Sequence, residues 1–321
     1  MLRRSRRSFL GLIGSVGAWP LTARARTVRT VGVLALGTPP LEPFLVALRE
    51  GLREVGYSED RNLRLDVRSA DGKATQLAPL AAELVRLKVD VIVAYQTPSG
   101  IAAKQATSAI PIVFSSVGDP LGTKLIESFA RPGGNVTGSS AGSVEIAGKS
   151  VELIRELLPD MQRLAVLANE TDPFTKGYIE AISEASRRTG LQLEPVMRRP
   201  ADPLEPAFDR IAAVGAGAVI VQGSLVRKEA ADLALRRRLP SISTPSVWTQ
   251  LGGLLTYSAH FGALMKETAA YVGKVLDGSK PGALPVVFPT RFDLTINLKT
   301  AKALGLQIPL TLLRRADEVI E

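Results

Sequence analysis

The sequence contains no cysteine and a single histidine, His260. Disulfide bonds, thiolate metal sites and cysteine nucleophiles are therefore excluded, and a multi-histidine metal site or a histidine-based triad lacks the residues it needs. His260 lies between a strand-like segment and a helix-like segment, so we interpret it as a helix-start residue without a catalytic role. We expect no catalytic residue, no metal ion and no cofactor.

Aromatic residues are scarce, at 5% of the chain, whereas 45% of the residues are hydrophobic and 22% are charged. The many Ala, Leu and Val residues are typical of sheets buried between helices. A length of 321 residues is enough for two ordinary domains. The one dense basic run, Arg236-Arg237-Arg238, has no interleaved aromatic residues, so we expect no nucleic-acid partner.

The first 25 residues have the pattern of an export signal. Basic residues precede an apolar run from Phe9 to Leu21, and Ala23-Arg24-Ala25 is a small-x-small cleavage site. The segment Ser5-Arg6-Arg7-Ser8-Phe9-Leu10 fits a twin-arginine signal, and the alternative is an ordinary secretion signal with incidental arginines. The apolar run is too short to span a bilayer, and a chain without cysteine cannot carry a thioether-linked lipid.

We therefore expect a soluble, periplasmic mature protein that is not lipid-anchored. Removal of the signal lowers the net charge from +9 to +4, because the segment contains five arginines and no acidic residue. The basic isoelectric point is thus partly a property of the signal.

Apolar runs and amphipathic segments alternate along the rest of the chain. In the first half they predict strands over 31–36, 62–68, 90–95 and 110–117, separated by helices over 43–56, 75–88 and 99–108. After a helix over 145–160, the second half predicts strands over 163–169, 191–197, 218–223 and 239–247, separated by helices over 174–189, 204–214 and 227–238. This alternation is typical of α/β proteins with parallel sheets covered by helices on both faces.

The two halves resemble each other. Segments 31–40, 90–100 and 110–120 align with segments 164–173, 218–228 and 239–249, at offsets of 133, 128 and 129 residues. A nearly constant offset over three strand–loop pairs predicts two doubly wound, Rossmann-like lobes. The chain after residue 253 is too short for a third domain, so we predict that it returns to the first lobe and crosses back through hinge strands. The predicted lobes comprise residues 26–142 with 254–288, and 143–253 with 289–321.

Two facing lobes of this kind form a clamshell, because loops at the carboxyl ends of parallel strands form the binding crevice. The loops at those positions are small and mostly neutral, which suits reversible recognition of a small polar ligand. The candidate ligand-binding residues are Thr38, Gln96, Thr97, Ser99, Ser116, Asp119, Asn169, Thr171, Phe174, Ser224, Trp248 and Tyr257.

Several of these residues have two interpretations. The loop Thr97-Pro98-Ser99-Gly100 opens a helix, where it can hold an anionic group or serve as a plain N-cap. Asp119 or Asp172 can take an ammonium group, but each precedes a proline and fits an N-cap equally well. Trp248 and the other aromatic residues can form an apolar wall of the crevice or pack in the core.

The sequence resembles a known family, the bacterial ABC-transporter substrate-binding proteins of the tryptophan/tyrosine-binding type, which have a type I periplasmic-binding-protein fold. The resemblance covers essentially the whole mature chain and rests on GLREVGYSEDRNLRLDVRSADG, LAAELVRLKVDVIVA, TPSGIAAKQATSAIPIVFSSVGDPLGTKLIESFARPGGNVTG, EIAGKSVELIRELLP and FDLTINLKTAKALGLQIPLTLLRRADEVIE. By position, the resemblance places the family's T-P loop on Thr97-Pro98, its S-V-G-D-P segment on Ser116 to Pro120 and its strand-end asparagine on Asn169. This chain departs from the family at Tyr95-Gln96 and at the three residues after Asn169, so the ligand can differ.

The resemblance implies a soluble receptor that binds a small ligand, such as an amino acid with an aromatic side chain, and delivers it to an ABC permease. We expect a monomer that closes about its hinge and carries out no catalysis. The first alternative is a secreted α/β enzyme, although the sequence has no GxSxG elbow, phosphate loop or metal cluster. The second is the effector domain of a transcription regulator, which the export signal and the absence of an N-terminal helix-turn-helix disfavour.

Overall fold

The computed structural model describes residues 28–37, 41–199 and 201–321, and within them the chain forms two β-sheets flanked by helices. The predicted signal peptide and Thr38 lie outside the described residues. The elements up to the first change of sheet are β1 (Arg29–Ala35), α1 (Glu42–Glu54), β2 (Leu63–Ser69), α2 (Leu77–Arg86), β3 (Val91–Tyr95), α3 (Thr97–Ala106), β4 (Ile112–Val117) and β5 (Val136–Ser140).

The second half continues with α4 (Ser143–Leu157), β6 (Arg163–Asn169), α5 (Thr175–Arg188), β7 (Gln192–Arg198), α6 (Glu205–Ala213), β8 (Ala218–Val221), α7 (Lys228–Arg236), β9 (Ser241–Ser243), α8 (Val247–Gln250) and β10 (Leu255–Ala259). The last elements are α9 (Phe261–Leu276), β11 (Phe292–Asn297), α10 (Leu298–Leu304), α11 (Leu310–Leu313) and β12 (Glu318–Ile320).

The first sheet has the order β2-β1-β3-β4-β5, and all of its strands are parallel. Successive side chains of a strand point to opposite faces of the sheet, so β1 contributes residues to two hydrophobic cores. Val31 and Val33 pack under α1 and α9, whereas Leu34 packs under α2 and α3. The run of buried residues without polar side chains from Val31 to Ala35 thus follows from burial on both faces.

The second sheet has the order β12-β11-β10-β9-β8-β6-β7. Its part β7-β6-β8-β9-β10 repeats the order of the first sheet, with β6 in the place of β1. Only β10 and β11 pair in antiparallel fashion among the described strands. The prediction of two doubly wound α/β lobes is confirmed.

The chain passes between the lobes at residues 141–142, at His260 and at residues 288–291. Each crossing joins an element of one sheet or core to an element of the other. The amide of His260 donates a hydrogen bond to the carbonyl of Arg291 at 2.9 Å, which ties two crossings together. The two lobes are thus connected by three short crossings.

One predicted lobe boundary differs from the observed pairing. Residues 254–259 were predicted to lie in the first lobe, but β10 pairs with β9 and β11 in the second sheet. Leu254 and Leu255 are buried in the second core, and it is α9 that returns to the first lobe. We therefore propose a boundary at residue 260. In the described part of the chain, no helix combines the length and apolar character needed to cross a membrane.

Candidate ligand-binding cleft

A cavity of about 410 Å³ lies between the two lobes, and this volume is in the range of small-molecule sites. It is located where the strands of both sheets end, because parallel strands place their following loops at one edge. Eight strands contribute residues at or just after their carboxyl ends, namely Leu36, Gln96, Ser116, Ala141, Asp172, Gly223, Thr244 and Ala259.

The first turns of five long helices also reach the cavity. They belong to α1, α3, α4, α5 and α9, and their lining residues are Pro43, Thr97, Ser143, Tyr178 and Phe261. Unpaired amide groups give each helix start a partial positive charge that attracts anions. Since none of the described lining residues is Lys, Arg or His, an anionic ligand group would be held by helix starts and neutral donors.

Two lining residues have backbone conformations that are unusual for a side chain. Gln96, the N-cap of α3, has φ = 72°, and Ser116 has φ = 56° at an irregularity in the pairing of β4 with β5. A positive φ costs energy for residues other than glycine and tends to occur at functional sites. The hydroxyl oxygen of Thr97 accepts a hydrogen bond from the amide of Gly118 at 3.0 Å, which holds the two strained loops together.

Asp172 is the one carboxylate among the described lining residues. The residue is 6% exposed, and its Oδ1 atom has no hydrogen-bond partner in the described structure. Burial raises the pKa of Asp172 from 3.8 to about 6, although contacts with the Ser224 hydroxyl and the Phe174 amide partly oppose the increase. A buried carboxylate without a cation is costly, so the site favours a ligand that brings a positive charge.

Asn169 shapes the loop that carries Asp172. Its Oδ1 atom accepts hydrogen bonds from the amide and hydroxyl of Thr171 at 3.0 and 2.9 Å, and its Nδ2 atom donates to Ser224 Oγ at 3.2 Å. The backbone amide of Asn169 donates to Gln222 Oε1 at 2.8 Å. Asn169 and Thr171 face a second cavity of about 230 Å³, which shares Asp172 and Ser224 with the first.

Within the described part of the chain, five aromatic rings line the main cavity. Phe44 stacks on Tyr95 with ring centroids 4.1 Å apart, and Phe174 meets Tyr178 edge to face at 5.8 Å. Phe261 is the fifth ring. Burial raises the pKa of Tyr95 to about 12, so this phenol is neutral at physiological pH. The first lobe and the second lobe each contribute aromatic surface, which suits a planar apolar group held between them.

The cavity brings together five of the predicted residues, and these are Gln96, Thr97, Ser116, Phe174 and Ser224. Asn169 and Thr171 line the neighbouring cavity. The prediction missed Phe44, Ser143, Tyr178 and Phe261, which also line the cavity. All four lie in the first turns of helices, so the predicted helix starts in the sequence could have indicated them.

Four predicted residues within the described chain line neither of the two cavities. Ser99 is fully buried in α3, and Trp248 is fully buried in the core beside α7, with its ring against Gly253. Tyr257 stacks on Phe292 at 5.7 Å at the edge of the second core. Asp119 accepts a hydrogen bond from Gly122 at 2.7 Å in a turn. The structure therefore places the Trp248 ring in the core, where full burial stabilises a large apolar ring.

Comparison with known proteins places the chain in a family. The model of the ABC transporter substrate binding protein family matches residues 33–320. A curated relative, the tyrosine-binding protein of Clostridioides difficile, is 25% identical over 276 residues, which cover 84% of this chain and 78% of the relative.

Two solved structures are similar over nearly the whole chain. A conserved domain protein from Vibrio cholerae is 28% identical, with a TM-score of 0.85 over 91% of this chain and 100% of that one. The ABC domain in complex with L-Trp from Streptococcus pneumoniae is 25% identical, with a TM-score of 0.86 over 92% of this chain and 100% of that one. The chain therefore belongs to the ABC transporter substrate binding protein family and has the type I periplasmic-binding-protein fold.

Proposed function

We propose that this protein binds a free amino acid with an aromatic side chain between its two lobes. The observation that carries the proposal is the charge pattern of the cavity lining. Among the described lining residues it combines one buried carboxylate, Asp172, with five helix starts and no cationic side chain. An α-amino acid has the complementary pattern, because its ammonium group pairs with a carboxylate and its own carboxylate suits helix starts.

The aromatic rings support the choice of side chain. Phe44, Tyr95, Phe174, Tyr178 and Phe261 offer surfaces from both lobes for an indole or phenol ring. Two relatives support the same class, since one is a tyrosine-binding protein and the other was solved in complex with L-Trp.

We further propose that the protein works outside the cytoplasmic membrane as a monomer and delivers its ligand to an ABC permease without altering it. Family membership and the predicted export signal support this role. Closure would be a rotation about the three crossings near residues 141, 260 and 290.

Isothermal titration of the chain from residue 26 with matched ligands tests the proposal. We expect L-tryptophan, L-tyrosine or L-phenylalanine to bind most tightly, with L-leucine weaker because it lacks a ring. Tryptamine lacks the carboxylate and indole-3-propionate lacks the ammonium group, so each should bind about tenfold to a hundredfold more weakly than L-tryptophan. Equal binding of all these compounds, or binding of none, would contradict the proposal. Recovery of chemically unchanged ligand after incubation tests the absence of catalysis.

A further inference from the structure

Two glycines on opposite lobes each receive a side chain of the other lobe. Gly118 follows β4 in the first lobe, and a methyl group placed on it would lie 3.1 Å from three ring carbons of Phe174 in the second lobe. Gly177 lies in the first turn of α5 in the second lobe, and a methyl group there would lie 3.2 Å from Asp119 Oδ2 of the first lobe.

The two contacts are reciprocal and adjacent. Gly118 and Asp119 are consecutive in the first lobe, and Phe174 and Gly177 are three residues apart in the second. Ordinary contacts between carbon atoms are about 3.5–4.0 Å long, so a side chain on Gly118 would be too close to the ring. Neither glycine has a positive φ, and local backbone conformation therefore does not require glycine at either position.

Each side of the contact is held firmly within its own lobe. The amide of Gly118 donates to Thr97, and Asp119 is fixed by the amide of Gly122 at 2.7 Å. The ring of Phe174 rests on Tyr178. The carboxylate of Asp119 faces the first turn of α5, whose partial positive charge attracts it. Asp119 also lies close enough to Glu145 to contribute to the raised pKa of that residue, whose main cause is burial.

From this geometry we propose that Gly118, Asp119, Phe174 and Gly177 form a latch that holds the lobes together only in the closed state. The latch acts on ligand affinity and release through closure, while each lobe folds without it. The latch regulates the proposed ligand site. The test of the latch by ligand affinity rests on the proposed function, whereas the ligand-free measurements do not. The missing side chain at Gly118 lets the Phe174 ring lie on the backbone of the opposite lobe.

Gly118→Ala and Gly177→Ala test the latch against two matched controls. In Gly100→Ala the added methyl group meets Leu125 of the same lobe at 3.0 Å, so this variant should lose stability without a specific loss of affinity. In Gly148→Ala the nearest atom belongs to Ala185 of the same lobe at 3.5 Å, an ordinary contact, so this variant should resemble the wild type. Titration with L-tryptophan and L-tyrosine gives the affinity, and thermal unfolding of ligand-free protein gives the stability.

We expect Gly118→Ala to weaken binding about tenfold, because overpacked contacts are costly, and to leave the ligand-free melting temperature close to that of the wild type. In a Phe174→Ala background the same substitution should have little further effect, since the ring that it meets is gone. Wild-type affinity in both latch variants would overturn the proposal, as would a loss of stability equal to that of Gly100→Ala.

A second measurement does not depend on the ligand. The chain has no native cysteine, so spin labels can be placed on cysteines introduced at two exposed residues on different lobes. Gln105 lines the second cavity, and Glu170 lies between the lining residues Asn169 and Thr171. Electron–electron distance measurements then report the closed population, which Gly118→Ala should reduce and Gly148→Ala should preserve. A wild-type protein without any short-distance population, with or without amino acid, would overturn the latch. If neither amino acid binds the wild type, the proposed function fails while the ligand-free distances still test the latch.

Discussion

Replacing Asp172 with asparagine should change stability and affinity in opposite directions. Keeping this buried carboxylate ionised is costly, since a carboxyl pKa raised from 3.8 to about 6 corresponds to about 3 kcal/mol of unfavourable free energy at neutral pH. Asparagine has nearly the same shape without the charge. We therefore expect the ligand-free variant to gain up to about 3 kcal/mol, which is a rise of several degrees in melting temperature.

The same substitution should weaken the binding of an amino acid. A hydrogen bond to a charged group contributes about 1.5–3 kcal/mol, so the loss of the carboxylate should weaken L-tryptophan binding about tenfold to more than a hundredfold. Indole-3-propionate, which has no ammonium group, is the matched control and should bind the variant no more weakly than the wild type. Equal losses for both ligands would refute the pairing of Asp172 with an ammonium group. A lower melting temperature of the ligand-free variant would refute the claim that burial of the ionised Asp172 carboxylate destabilises the protein.

The raised pKa also determines the direction of the pH dependence. Below pH 3.8 the carboxyl group is protonated in the folded and the unfolded states, so its burial costs little. The cost appears as pH rises from 3.8 to about 6, so Asp172 makes the ligand-free protein less stable across this window. Affinity for an amino acid should rise over the same window, because binding needs the ionised carboxylate. Asp172→Asn should abolish both contributions, and titration and thermal unfolding between pH 4 and pH 8 measure them.

Two further substitutions separate the cleft from the core. Thr97→Val removes the acceptor for the buried amide of Gly118, so we expect a loss of about 1–3 kcal/mol in unfolding free energy together with weaker ligand binding. Thr97→Ser keeps the hydroxyl group and should retain both the stability and the affinity. Denaturant unfolding and ligand titration of the two variants check this. Trp248→Ala leaves a cavity in the second core and should cost about 3–5 kcal/mol without changing the affinity of the folded fraction. If the Trp248 variant lost affinity without losing stability, Trp248 would belong to the ligand site and not to the core.

Local patterns in the sequence predicted much of the fold. Continuous apolar runs such as residues 31–36 indicated strands covered on both faces, and β1 does supply Val33 and Leu34 to separate cores. The offset between the two halves predicted two similar doubly wound lobes, and the two sheets do share one strand order over five strands. Parallel strands place their following loops at one edge, and so the sequence also indicated that Gln96, Ser116 and Ser224 lie together.

Other features depended on contacts between distant parts of the chain. Pairing with β9 and β11 decides which sheet β10 extends. The alternation of side chains within β10 itself does not reveal these partners. The direction of the Trp248 ring, toward the core and away from the cleft, depends on the space that α7 and Gly253 leave for it.

The sequence by itself therefore determined the secondary structure, the duplication and the set of loops that meet at the cleft, because each arises from short-range periodicity and strand direction. Only the tertiary structure decided that Asp172 lines the cavity while Asp119 joins the opposite lobe, although both precede a proline at a strand end. The physical reason is that burial and charge environment are set by the elements packed around a residue, and those elements come from both lobes.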